Sequence, residues 1–314
     1  MEEIIYPTDI KNNFLQIFQD NIEKIEKTFN LNVSLRGNKI MFEGETRYKK
    51  DFKKYIGHIV QLSLESRLDD NDLNMSLSMI YEGNIGLIKE ELSKKIKIRI
   101  NGKEVYPRTY NQKRYMKAIA KNDLAFGIGP AGTGKTFLAI AMGLNYLLNK
   151  QVQRIVVTRP VVEAGEKLGF LPGDIQQKVN PYFRPIYDAL YSLIGFDKTA
   201  ELIEKEIVEI APLAYMRGRT IDNAFLLLDE GQNTSNSQMK MFLTRFGQNS
   251  KVVVTADTTQ IDLPDPKKSG IFKAIKLLRK IAGIQVINLT GKDVVRHALV
   301  QNIIEAYERK KDEV

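Results

Sequence analysis

The stretch that most restricts what this chain can fold into runs from Leu124 to Ala139, LAFGIGPAGTGKTFLA. Gly129, Gly134, Lys135 and Thr136 satisfy the G-x-x-x-x-G-K-[ST] phosphate-loop pattern. An apolar run (Ala125, Phe126, Ile128) precedes the loop, and Phe137, Leu138, Ile140, Ala141 and Leu144 continue after it at helical spacing. The segment therefore reads as buried strand, glycine-rich loop and helix start. A loop that wraps a triphosphate must turn tightly and press backbone N–H groups against phosphate oxygens, which glycine does without a Cβ clash. The helix N-terminus behind it carries partial positive charge. The loop residues Gly129, Pro130, Ala131, Gly132, Thr133, Gly134, Lys135 and Thr136 are thus the candidate ATP contacts. Lys135 is placed to reach the β/γ-phosphates and the Thr136 hydroxyl to hold Mg²⁺.

A second half of such a site stands about 95 residues further on. In FLLLDEGQN (225–233) an apolar strand ends in Asp229, a candidate for the Mg²⁺ shell, followed by Glu230, placed to polarise an attacking water. VVVTADTTQIDLP (252–264) puts Asp257 and Gln260 at the end of the next strand, where a glutamine can sense the γ-phosphate. Gln112 lies upstream of the loop at about the spacing at which helicase-like ATPases read adenine with an amide. Arg159 and Pro160, after the strand at 153–158, occupy the position at which helicase-like proteins touch single-stranded nucleic acid. The loop that follows them, 163–173, also reads as a structural linker.

Around this centre the chain alternates. Strands are expected at 153–158, 206–210, 224–228, 251–256 and 284–289, with helices at 174–195, 235–247, 269–281 and 292–308. Apolar strands without period-2 alternation are buried on both faces, so the expected fold is α/β, a RecA-like phosphate-loop core with a mostly parallel sheet over 107–314. Upstream, Phe14, Ile17, Phe18, Ile22, Ile25 and Phe29 mark one amphipathic helix from Lys11 to Asn30. Two strands around a turn at Arg36–Lys39 and a helix from Arg47 to Leu64 complete a small α-β-β-α unit over 1–65. Its order is that of RNA-binding KH modules, but the GXXG backbone clamp is missing at the turn. RNA binding and a docking role both fit it. Residues 66–106 read as a linker with local structure, a helix over Asp70–Tyr81 and a strand over Lys95–Ile100.

Composition narrows the function classes. With no cysteine among 314 residues, disulfides and thiolate metal sites are excluded. The acidic opening MEEIIYPTD lacks a signal-peptide layout, and the longest apolar-rich stretch, Phe137 to Leu148, is too short for a bilayer, so a soluble cytoplasmic protein is expected. Residues 1–105 carry 17 basic and 17 acidic side chains, which leaves 30 basic against 21 acidic in the remainder. The excess of basic charge thus travels with the phosphate loop. A nucleotide accounts for part of it; the rest fits RNA, or a plain solvated surface.

VTRPVVEAGEKLGFLPGD (157–174), MRGRTIDNAFLLLDEGQNT (216–234), QMKMFLTRFG (238–247), TQIDLP (259–264) and DVVRHALVQNIIEAY (293–307) together resemble the PhoH-like ATPase family. The resemblance covers nearly all of the chain from Pro107 on, and the N-terminal unit is similar to the family's KH-like extension. Gly231 stands where the family usually has Ala, and Ala256 where it has Gly; neither change removes a phosphate or metal contact. The family shares motif order with superfamily 1 helicases, yet this chain holds one RecA-like core. The arginine that helicases take from a second core must come from this core or another subunit, with Arg217, Arg219 and Arg296 as candidates. The resemblance implies a homo-oligomer, a hexamer in ring-forming members, acting in RNA metabolism: remodelling or helicase action in rRNA maturation, beside a single-strand endoribonuclease partner. An ATP-switched scaffold that binds RNA or protein without unwinding is the alternative.

Overall fold

The computed structural model describes residues 1–7, 13–65, 68–160 and 175–295. It divides into two compact units, Met1–Ile96 with Arg108–Tyr110, and Lys97–Pro107 with Asn111 onward.

The first unit holds β1 (Glu2–Ile5), α1 (Asn13–Asp20), α2 (Ile22–Phe29), β2 (Leu31–Arg36), β3 (Lys39–Gly44), α3 (Thr46–Glu65), α4 (Asp70–Tyr81) and α5 (Ile88–Ser93). Its antiparallel sheet has the order β1-β3-β2. The hairpin at Arg36–Lys39 forms as expected, with Gly37 and Asn38 at its tip. Two differences stand out. The expected helix 11–30 is two helices, because Asn21 leaves helical geometry and gives its side-chain amide to the Ile17 carbonyl and to Asp70. And 68–96, expected as part of a linker, packs into the first unit. Leu68, Leu73, Met75, Leu77, Met79, Ile88 and Leu92 join Phe52, Tyr55, Ile56 and Ile59 of α3 in one core. An apolar helix face of that size needs a partner surface, and α3 and α2 supply it. The rest of the expected linker, β4 (Ile98–Ile100) and β5 (Lys103–Val105), is a hairpin of the second unit.

From α6 (Tyr110–Lys121) onward the second unit alternates: β6 (Leu124–Ile128), α7 (Lys135–Leu148), β7 (Arg154–Arg159), α8 (Ile175–Ile194), α9 (Phe196–Glu204), β8 (Val208–Pro212), β9 (Ala224–Leu228), α10 (Asn236–Leu243), β10 (Lys251–Ala256), α11 (Gly270–Leu278) and β11 (Ile284–Asn288). The expected RecA-like core is present, and every neighbouring strand pair is parallel, in the order β11-β6-β10-β9-β7-β8. All five residues of β6 and of β9 are buried, as their unbroken apolar letters require. Sheet order matters more than sheet content here. β6 and β9 do not touch; β10 lies between them, so the C-terminal ends of all three converge. Chain direction across the sheet reverses at β6, the place where open α/β sheets bind ligands. Of the helix expected over 292–308, a 3-10 turn at Gly291–Asp293 is seen, and the part beyond 295 lies outside the described residues. No helix among the described residues is long and apolar enough to cross a membrane.

Candidate active site

The loop leaves β6 between its two neighbours. The Gly129 N–H donates to the Ala256 carbonyl of β10 at 3.0 Å, and the Leu289 N–H beyond β11 donates to the Ile128 carbonyl at 2.7 Å. A Cβ on Gly129 would strike the Leu289 carbonyl, so any other residue would push the loop off the sheet. Gly134, at φ +79°, makes the left-handed turn that starts α7. Lys135 is almost buried, and its Nζ donates back to the carbonyls of Gly129 (2.5 Å) and Pro130 (2.8 Å). Burial lowers its pKa; Asp257, Glu230 and Asp229 oppose that and favour the charged form.

Behind the loop lies a polar layer. The Gln112 amide donates to the carbonyls of Thr133 at 3.1 Å and Asp293 at 3.4 Å. Asn111 donates to the Asp293 carboxylate at 3.1 Å, and the Val295 N–H donates to the Gly132 carbonyl at 3.2 Å. Gln112, expected to read adenine, is therefore a buried brace of the loop backbone and does not line the cavity in front of it.

That cavity is about 240 Å³ and is walled by Lys135, Thr136, Asp229, Glu230, Asp257 and Gln260 with the loop backbone. Asp229, buried at the end of β9, accepts hydroxyl hydrogens from Thr136 at 2.7 Å and from Thr255 of β10 at 2.6 Å, both on Oδ1. Glu230 follows in a left-handed conformation, φ 56°. Its pKa is raised by burial and by the charge of Asp229; Arg159, a hydrogen bond from Gln232, and Lys135 pull the other way. Asp257 takes the Thr259 N–H (2.9 Å) and hydroxyl (2.6 Å) on Oδ1. Its Oδ2 is buried with no hydrogen-bond partner among the described residues. A buried carboxylate oxygen without a donor is costly, and a hydrated cation would supply one. No three acidic or histidine side chains among the described residues cluster as a metal cage. Mg²⁺ binds through one or two protein groups plus substrate phosphates and water. Thr136, Asp229 and the orphan oxygen of Asp257 fit such an ion.

The arginines and the proline singled out in the sequence lie in different surroundings. Arg159 does not face outward towards nucleic acid. Its guanidinium turns into the site, 3.4 Å from Glu230 and 4.0 Å from Asp229, and donates to the Tyr182 carbonyl at 2.6 Å. The end of β7 lies beside the end of β9, and the buried Asp229 with the partly exposed Glu230 attracts the nearest cation. Pro160 beside it is buried. Arg219 grips Glu209 with two hydrogen bonds, 2.5 and 2.7 Å, whereas Arg217 is exposed. Arg296 lies outside the described residues. Two residues of the site, Thr255 and Gln232, are not among the sequence-based candidates. Thr255 stands in VVVTAD immediately before a strand-end turn, which was a usable signal; nothing local separates the buried Gln232 from a surface glutamine. A larger cavity of about 620 Å³ between α10 and α11 is apolar and holds none of this chemistry.

The model of the family described as PhoH-like protein matches residues 104–308. This chain belongs to the PhoH-like family. It is 45% identical to the PhoH-like protein of Bacillus subtilis (strain 168) over 93% of this chain and 92% of that one. It is 44% identical to the PhoH-like protein of Mycobacterium tuberculosis (strain ATCC 25618 / H37Rv), covering 98% and 87%. Protein PhoH of Escherichia coli (strain K12) is 46% identical over 65% of this chain and 58% of that protein. Among solved structures, the Sulfolobus solfataricus SWI2/SNF2 ATPase core in complex with dsDNA aligns at TM-score 0.35 and 15% identity, over 58% of this chain and 44% of that one. That likeness is too weak to inform the function. The PhoH-like match spans the whole loop, the acid pair and the Asp257 turn.

Proposed function

We propose that this PhoH-like protein binds and hydrolyses ATP with Mg²⁺ and couples turnover to single-stranded RNA. The observation that carries the reading is the convergence on Asp229. Hydroxyls of the loop helix (Thr136, 2.7 Å) and of the neighbouring strand (Thr255, 2.6 Å) meet on one of its oxygens, with Lys135 and Glu230 on the same cavity. Loop N–H groups and the start of α7 receive phosphate oxygens. Lys135 exchanges the carbonyls of Gly129 and Pro130 for the β/γ-phosphates. Thr136 and Asp229 would hold Mg²⁺, which would supply charge neutralisation at the phosphate oxygens. Glu230, a stronger base than an exposed carboxylate because burial raises its pKa, takes a proton from the attacking water. The new bond forms at the γ-phosphorus, the bond to the β–γ bridging oxygen breaks, and ADP leaves with that electron pair. Gln260, exposed on the cavity wall, is placed to feel the γ-phosphate go. Gln112 supports the loop in the free protein and reads adenine only by releasing Thr133.

The RNA half of the reading is supported by the basic excess in residues 106–314, and its setting in rRNA maturation, beside an endoribonuclease, comes from the resemblance alone. A homo-oligomer comes from the resemblance and would allow an arginine in trans, for which exposed Arg217 is better suited than Arg219, which is paired with Glu209. The test compares ATPase rate with and without single-stranded RNA, alongside strand separation on a tailed duplex. Stimulation with unwinding supports the proposal. RNA binding with neither supports the switched scaffold, and Mg²⁺-independent or undetectable hydrolysis removes the ATPase reading itself.

A further inference from the structure

We propose that Gln232 is a positioning residue, which aims the Glu230 carboxylate and ties it to the turn from Asp257 to Gln260. The proposal rests on the assignment of Glu230 as the base.

Gln232 sits in the 3-10 turn Gly231–Asn233 that follows β9, and its side chain is wholly buried. A buried amide must place both an acceptor and an NH₂ group. Its Oε1 accepts the Asp257 N–H at 2.9 Å. A backbone N–H can only donate, so this contact determines which end of the amide is oxygen. The NH₂ group then faces two acceptors, Oε2 of Glu230 and the Gln260 carbonyl at 3.0 Å. One side chain thereby joins the acid to both ends of the next turn.

The other carboxylate oxygen of Glu230, Oε1, lies 3.4 Å from Arg159 Nη2, so Gln232 and Arg159 hold the group from different oxygens. Glu230 needs such holding. Its left-handed backbone (φ 56°) is uncommon for a side chain of that size and persists only where surroundings over-determine it. The Asp257 turn is closed by its own bonds, Gln260 N–H to the Asp257 carbonyl (3.2 Å) and Thr259 to the Asp257 carboxylate, and so moves as one piece. The main chain of Gln232 is anchored separately, its carbonyl accepting the Ser269 hydroxyl at 2.6 Å. A displacement of the turn, such as Gln260 meeting or losing a γ-phosphate, is therefore taken up at the Gln232 amide and reaches Glu230.

The full-length protein serves for the test, with Gln232→Glu and Gln232→Met each made alone and in a Glu230→Gln background. Gln232→Glu keeps an acceptor for the Asp257 N–H and removes the donor to Glu230; Gln232→Met keeps the length and removes all three bonds. ATP turnover, KM, binding of a non-hydrolysable ATP analogue and melting temperature are measured. Both single variants should bind the analogue within about threefold of the parent while kcat falls about 30-fold or more, since the interaction acts on the reacting geometry. In the Glu230→Gln background the same changes should alter the residual rate less than about twofold, because groups acting as one unit are not additive. A single-variant kcat near the parent's, or a loss that persists in full without Glu230, overturns the proposal. So does analogue binding that falls together with melting temperature in Gln232→Glu, the mark of a merely structural role. Parent-level turnover by Glu230→Gln alone removes the base assignment, and the proposal with it. A dead Glu230→Gln protein with unaffected Gln232 variants removes the positioning role only.

Discussion

At the scale of single residues, the site turns on one oxygen. Asp229 Oδ1 accepts two hydroxyls, and only one of them belongs to a recognisable motif. Thr136 would be a ligand of a bound metal; Thr255 is buried, and its hydroxyl lies 2.6 Å from Asp229 Oδ1 and 3.4 Å from the Leu228 carbonyl. Outer partners of metal ligands are worth about 10–100-fold in metal affinity or activity. Thr255→Val keeps the shape and removes the bond, so it should raise the Mg²⁺ concentration for half-maximal turnover by about tenfold. A Mg²⁺ titration of ATPase rate checks this, and an unchanged midpoint would contradict it. The same scale shows where reading letters stops. Asp229, Glu230 and Lys135 are legible because each sits at a characteristic distance from a glycine loop or a strand end. The place of Arg159 at a strand end is legible in the sequence, but its approach to Glu230 is not, since letters fix a residue's place along a strand and not the rotamer chosen by two nearby carboxylates.

At the scale of elements, α7 reaches its strand through a missing side chain. A Cβ on Gly143 would come 2.8 Å from Phe225 Cδ1 and 3.1 Å from Cε1, and that ring is fully buried. α7 and β9 are thereby drawn close together. Gly143→Ala would gain up to about 1 kcal/mol of helix propensity. Overpacking a buried ring costs about 1–3 kcal/mol, so the net change is destabilising, and melting should fall by about 2–4 °C. A higher melting temperature would mean that α7 slides without strain. Element by element, the strands of the core were legible because short runs of β-branched residues and leucine, bounded by turn residues, suit a strand buried on both faces better than a helix. The helix break at Asn21 and the packing of α4 were not. Both depend on partners distant in sequence, Asp70 for Asn21 and the apolar face of α3 for α4.

At the scale of the whole molecule, the question is how a single core obtains its arginine. Arg219 is held by Glu209 and its guanidinium is kept strongly protonated by that pair, while Arg217 is exposed. Mixed assemblies discriminate. A Lys135→Ala protein cannot hydrolyse ATP but offers Arg217, and an Arg217→Ala protein offers an intact loop. If the arginine acts in trans, mixing the two inactive proteins should recover a part of the activity, set by the fraction of subunits whose neighbour supplies what they lack. No recovery, with mixed assembly confirmed by mass, would place the arginine in the same chain, and Arg159, already 3.4 Å from Glu230, would be first in line.

The sequence by itself determined that the chain contains a phosphate loop, two acids after a buried strand, and a parallel α/β core to carry them. Those conclusions need only spacing, glycine geometry and apolar periodicity, which are local. The tertiary structure alone decided that β10 lies between β6 and β9, and so brings Thr255 and Asp257 to the acids. It also decided that Gln232 and Arg159 converge on Glu230 and that Gln112 braces the loop. Strand order and side-chain direction arise from contacts between residues far apart in the chain, and no local pattern of letters records them.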